Sequence, residues 1–268
     1  MNLGISSYAY AWSIGVPGHV PEEPLSARQL LESASRLHVP VVQIADNMPL
    51  DKMDAGEVDA LAEFAVRLGI QVEVGTRGIV PSHLQRYLAL AEQFHSPILR
   101  VVIDTAETHY EPDIATDLLR SQRGAFERAG VILAIENHDR LPVSALARMV
   151  RDLGSDWVGI CLDTVNSLGA AEGIGVVVET LGPSVVNLHL KDFVVLRAAH
   201  MMGFSIEGRP AGRGQLDVPW LLQSLTGYGR EFNAILELWT PPEPELELTI
   251  EKEKRWVRDS IDFLSALP

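Results

Sequence analysis

Cysteine is nearly absent. The 268 residues hold one, Cys161, so an intrachain disulfide is excluded. Positive charge is scarce as well: 22 lysines and arginines stand against 36 acidic residues, for a formal net charge of −14. A surface of that sign repels phosphate backbones, which argues against general affinity for nucleic acid. No apolar run reaches the ~18 residues of a membrane span. The opening MNLGISSYAY has neither a basic start nor a long apolar stretch behind it. The expectation is a soluble, cytoplasmic chain with no membrane partner. A glycine fingerprint for dinucleotides is also missing, because the first apolar run leads into SSYAYAW with no G-x-G-x-x-G. No low-complexity segment or charge run marks a linker, so residues 1–268 are expected to form one domain.

What the chain does have is apolar material, 47% of its residues, in a regular alternation. Eight β-rich runs occur at Leu3–Ser7, Val39–Ile44, Ile70–Val74, Ile98–Ile103, Val131–Ile135, Val158–Leu162, Val185–Leu190 and Ala234–Leu238. Between and after them lie segments with apolar residues at i, i+3, i+4 spacing: Ser26–Leu37, Glu57–Leu68, Ser82–Phe94, Ile114–Ala129, Ser144–Leu153, Gly175–Leu181, Val218–Leu225 and Leu248–Leu264. Eight strands alternating with eight helices in ~250 residues predict an α/β fold, a single (β/α)8 TIM barrel.

Four of the later runs each carry one polar residue near the C-terminal end: Glu136 in VILAIENHD, Asp163 in GICLDTVNS, His189 in VVNLHLKDF and Glu237 in AILELW. A charge or imidazole inside an apolar strand is costly unless it is paired or bound to a metal. Lys191 or Arg100 could pair with Glu136 or Asp163 taken singly. All four in successive strands, at the barrel end where active sites lie, favour a divalent-metal site. Their spacings are 27, 26 and 48 residues. The excess in the last falls in Val194–Gln215, read as an enlarged loop over the mouth of the barrel. His189 and Lys191 are two apart and share a side of their strand, as do Cys161 and Asp163. Cys161 reads as a small core residue, and the run EPELELTIEKEK as a solvated helix start. His19, His109 and His200 fall in loops.

Taken in order, IENH (Ile135–His138), LDTVN (Leu162–Asn166), HLKD (His189–Asp192), GRGQLD (Gly212–Asp217) and LEL (Leu236–Leu238) resemble the xylose isomerase-like TIM barrels, the sugar isomerase, epimerase and apurinic-endonuclease-like superfamily. The resemblance covers essentially the whole chain. It implies that Glu136, Asp163, His189 and Glu237 hold one divalent ion, commonly manganese, magnesium, zinc or cobalt. It implies a sugar or keto-sugar isomerase or epimerase working through a metal-stabilised enediolate, with Glu136 and Glu237 as the acid–base pair. His138, Asn166, Lys191, Arg213 and Arg100 are the candidate substrate contacts. The substrate class is a small carbohydrate or sugar acid, and assembly into a homo-oligomer is left open.

Two departures bear on the reaction. Pro142 stands where related ketose epimerases often carry a further glutamate, and Thr164, Val165 and Asn166 stand where they carry a histidine. Lys191, with Arg100, Arg209 and Arg213, suits a carboxylate-bearing substrate. The second expectation is therefore a lyase of the same fold, a decarboxylase or dehydratase acting on a sugar-derived oxo-acid. A DNA-repair phosphodiesterase comes last. That chemistry needs several zinc ions and a His-rich ligand set, whereas the eight histidines here lie mostly away from strand ends.

Overall fold

The computed structural model describes residues 1–154 and 156–267. The barrel strands are β1 (Leu3–Ser6), β2 (Val41–Ile44), β3 (Gln71–Arg77), β4 (Ile98–Val102), β5 (Ile132–Glu136), β6 (Val158–Asp163), β7 (Val185–Leu190) and β10 (Asn233–Leu236). They close in the order β1-β10-β7-β6-β5-β4-β3-β2, every contact parallel. Strands β2, β4, β6 and β7 are buried along their whole length. That is why they read as continuous apolar runs and not as alternating ones. The fold is the expected (β/α)8 barrel. Among the described residues no helix is long and apolar enough to cross a membrane.

The helices start where the sequence offers caps. Ser26 with Gln29, and Asp54 with Glu57, form reciprocal capping boxes at the heads of Ala27–Arg36 and Ala55–Leu68. Gly69 ends the second of these in the left-handed conformation, φ 67°. One expectation is corrected here: Ile114–Ala129 is not a single helix. It divides into Pro112–Arg120 and Arg123–Ala129, because Ser121 and Gln122 close the first segment with turn hydrogen bonds to Asp117 and Leu119.

The segment after β7 is also more ordered than a loop. Strands β8 (Asp192–Arg197) and β9 (Phe204–Arg209) form an antiparallel hairpin. Its base is tied by the Asp192 carboxylate, which accepts from the backbone N–H groups of Gly212, Gly214 and Leu216 at 2.9, 2.8 and 3.0 Å. The hairpin lies close against the chain that follows β10: a Cβ on Gly208 would sit 2.0 Å from the Trp239 carbonyl oxygen. This seats Ile206 on the wall of the same pocket as Trp239.

The C-terminal helix Leu246–Ser265 corrects another expectation, since its start is not wholly solvated. Glu253 is buried and accepts hydrogen bonds from Trp12 N, Ser13 N and Ser13 Oγ at 2.8, 2.9 and 2.7 Å. It fastens the segment following β1, which carries Tyr8 into the pocket. Burial pushes the Glu253 carboxyl up to about 7, outweighing those three donors. A carboxyl raised above its unfolded value adds stability below the unfolded pKa and loses it as pH rises through the folded one. Glu253→Gln is therefore expected to flatten the fall in stability between about pH 4.5 and 7, which should amount to about 2–3 kcal/mol in the parent. Urea melts at pH 5 and pH 8 check this: equal slopes for the two proteins would contradict it.

Candidate metal centre and substrate pocket

Polar side chains converge where the strands end at the C-terminal mouth. Strand pairing sets the positions, because Asp163 on β6 is the register partner of His189 on β7, and Glu136 on β5 is the partner of Cys161. Glu237 follows β10 directly, its N–H bonded to the Leu190 carbonyl. His189 Nδ1 lies 3.3 Å from Glu136 Oε2, 3.4 Å from Glu237 Oε1 and 3.9 Å from Asp163 Oδ2. All four side chains are buried.

The donor set fits a divalent ion. Ligand atoms of Asp163, His189 and Glu237 lie within 4.8 Å of one another, and Glu136, Cys161 and His189 form a second such triplet. Two ligands at 2.0–2.3 Å from one ion stand at most about 4.6 Å apart, so little movement is needed to meet on it. His189 Nδ1 and Glu237 Oε1 are buried without an aligned hydrogen-bond partner, while Asp163 Oδ2 and Glu237 Oε2 meet only the Lys191 ammonium. Buried polar atoms left so are uncommon and costly, and a cation would satisfy them. One imidazole and carboxylate oxygens suit magnesium, manganese, zinc or cobalt better than a thiophilic ion.

Two buried cations share this centre. Lys191 Nζ lies 2.7 Å from Asp163 Oδ2 and 2.8 Å from Glu237 Oε2. Burial works against its charge, but the carboxylates of Asp163, Glu237 and Glu136 outweigh burial and raise its pKa well above the usual lysine value. Arg100 donates from Nε to Glu136 and from a terminal nitrogen to Asp46 at 2.7 Å. The other Glu136 oxygen accepts from Asn166 Nδ2 at 2.8 Å. Asp46 also takes Arg77 at 3.2 Å and the Tyr8 hydroxyl at 3.0 Å. Burial would raise the Asp46 carboxyl, but Arg100 and Arg77 hold it well below the ordinary range. Burial and the Asp46 charge push the Tyr8 hydroxyl up.

The sequence-predicted residues divide as follows. Glu136, Glu237, His138, Asn166, Lys191 and Arg100 line one cavity of about 440 Å³. Asp163 and His189 lie buried beside its floor. Arg213 does not belong with them. It is exposed in the turn after the hairpin, and the wall position comes instead from Ile206. Arg100 spends Nε on Glu136 and one terminal nitrogen on Asp46 and the Thr76 carbonyl, so it organises the site while still lining the cavity. His138 faces the pocket, with Nδ1 against Asp139 and Nε2 3.3 Å from Arg77. Sequence reasoning missed Asp46 and Arg77. Each sits just past or at the end of an early strand, the same placement that revealed the later four.

With this geometry the chain belongs to the xylose isomerase-like TIM barrel family, whose model matches residues 123–267. It is 34% identical over 264 residues to a 3-oxo-isoapionate decarboxylase of Pectobacterium atrosepticum, covering 98% of this chain and 95% of that one. Its fold is that of D-psicose 3-epimerase from Clostridium cellulolyticum H10, solved with D-tagatose, at a TM-score of 0.75, 14% identity and 98% of each chain. A xylose isomerase-like TIM barrel protein from Mycobacterium smegmatis, solved in complex with magnesium, superimposes at a TM-score of 0.69 with 14% identity over 98% of this chain and 97% of that one.

Proposed function

We propose that this protein is a divalent-metal-dependent lyase that removes carbon dioxide from a sugar-derived 3-oxo acid. The observation that carries this is the state of Glu136. Arg100 holds one of its oxygens and Asn166 the other. Those donors leave each oxygen a lone pair for an ion but fix the carboxylate in place, whereas epimerisation through an enediolate needs a carboxylate free to reach the α-proton on each side of the substrate. Decarboxylation needs none. The bond to the carboxyl group breaks, its electron pair passes to the carbonyl oxygen, carbon dioxide leaves, and the carbon takes a proton from solvent.

Charge supports the same reading. Asp46, Glu136, Asp163 and Glu237 interlock with Arg77, Arg100 and Lys191, which leaves one negative charge. A divalent ion held by Asp163, His189, Glu237 and Glu136 would turn this into one positive charge, polarise the substrate carbonyl and offset charge growing on its oxygen. Within this buried set a monoanionic acid then completes the balance; Asp139, exposed and bonded to His138, lies outside it. Lys191, held charged on the floor beside the would-be ligands Asp163 and Glu237, would offset charge on the oxygen that receives the electron pair. Val165, Leu168, Ile206 and Trp239 supply an apolar wall for the departing carbon dioxide. The similarity to a decarboxylase over nearly the whole chain points the same way.

The test is turnover of a sugar-derived 3-oxo acid in D2O with Mn2+. One carbon dioxide per product, and one deuterium on the carbon that lost it, is the expected result. Deuterium entering an epimer or isomer of a neutral sugar, with no carbon dioxide, would return the assignment to the isomerase reading.

A further inference from the structure

Below the carboxylates the barrel holds a second polar layer that the proposed chemistry does not use. Gln43 on β2, Glu73 on β3 and Asn187 on β7 are fully buried, with Asn233 on β10 half-buried beside them. Glu73 Oε2 accepts from Gln43 Nε2 at 3.1 Å and from Asn187 Nδ2 at 2.8 Å, and Glu73 Oε1 accepts from Asn233 Nδ2 at 2.8 Å. Gln43 Nε2 also reaches Asn187 Oδ1 at 3.0 Å. Both amide hydrogens of Gln43 thus have acceptors beneath them. Turning the amide over would set its oxygen against those same two acceptors. Its oxygen therefore points upward, 2.7 Å from His189 Nε2.

That contact decides where the imidazole carries its hydrogen. An amide oxygen can only accept, so Nε2 must be the N–H. Nδ1 is then the nitrogen left for an ion; it faces Glu136, Glu237 and Asp163 with no aligned hydrogen bond, and any proton it carries without an ion is the one that metal binding displaces. The opposite tautomer would put a hydrogen where an ion has to bind. We propose that Gln43, oriented by Glu73 and Asn187, is a positioning residue that locks His189 as the Nε2–H tautomer and so presents Nδ1 to the metal. This rests on the metal-enzyme reading above.

The experiment uses the full chain in two states, stripped with EDTA and titrated with Mn2+ alone. In the stripped protein, 15N NMR of His189 is expected to report a protonated Nε2 and no neutral form protonated at Nδ1 alone. Gln43→Met keeps the shape but has no acceptor. It should mix the two tautomers and weaken Mn2+ binding about 10–100-fold, the usual cost of losing such a partner. Gln43→Glu keeps an acceptor under Nε2 and shares a proton with Glu73, so it should restore the parent tautomer and bring Mn2+ affinity back to within a few-fold. Thermal melts identify any variant that fails to fold. A Gln43→Met protein with the parent tautomer and unchanged Mn2+ affinity would overturn the proposal. So would equal weakening in both variants, which would mark a packing role. Should the parent itself bind no Mn2+, the metal-enzyme reading fails, while the tautomer signal still judges Gln43.

Discussion

Asp163→Asn is expected to cost the protein its divalent ion and about three orders of magnitude in turnover, the scale of losing several kcal/mol of charge stabilisation. Asparagine is the informative replacement because Asp163 has two roles. Its Oδ1 accepts the backbone N–H groups of Val165 and Asn166 at 2.8 Å each, turning the chain after β6. Its Oδ2 faces His189 and Lys191. Asparagine keeps the turn acceptor and the volume while removing the charge. Alanine would lose both, and a drop in metal content could then reflect a misplaced Asn166. Because Asp163 is placed as a direct ligand, its loss should exceed the roughly 10–100-fold that outer partners cost in metal affinity. Elemental analysis after gel filtration with stoichiometric Mn2+ measures this. A variant that still carries one ion per chain would remove Asp163 from the ligand set.

The parts of the molecule that were legible in the sequence share a physical cause. Parallel barrel strands are buried on both faces, so each reads as an apolar run, and a polar residue within one stands out against it. Glu136, Asp163, His189 and Glu237 were visible for that reason. The same rule applies to VVQIAD and QVEVGTR, where it marks Gln43, Asp46, Glu73 and Arg77; their strands precede the family-like motifs. The hairpin was not legible because both its strands are largely exposed and mix apolar with charged residues, which erases any two-residue alternation. Arg213 was placed by its segment's position after β7, beside His189, and by its charge; the Asp192 tether holds this turn at the base of the hairpin, where Arg213 is exposed and outside the cavity lining. Glu253 was hidden in a charge run, where one buried carboxylate looks like its solvated neighbours.

Lys191→Met carries the second large effect, and it separates the lyase from its rivals. Methionine retains most of the length and apolar body of lysine and removes the ammonium. In the metal-free protein Asp163 and Glu237 then lose their buried counter-charge, which should cost about 3–5 kcal/mol of stability. Bound metal replaces that charge, so Mn2+ should raise the melting temperature more in the variant than in the parent. Mn2+ affinity itself should hold or improve, because a competing cation at 2.7 and 2.8 Å from two ligand oxygens is gone. Carbon dioxide release should nevertheless fall about 10²–10³-fold, the scale of removing one group aimed at developing negative charge. The loss should appear in kcat more than in KM, since that charge grows only as the carbon–carbon bond breaks. Lysine at this position stays protonated throughout the working range, so the parent rate should show no ionisation of Lys191 between pH 6 and 9. A variant that binds Mn2+ and releases carbon dioxide within threefold of the parent would strip Lys191 of its role. One that binds Mn2+, releases none and exchanges deuterium into a neutral sugar would expose an isomerase beneath the proposed lyase.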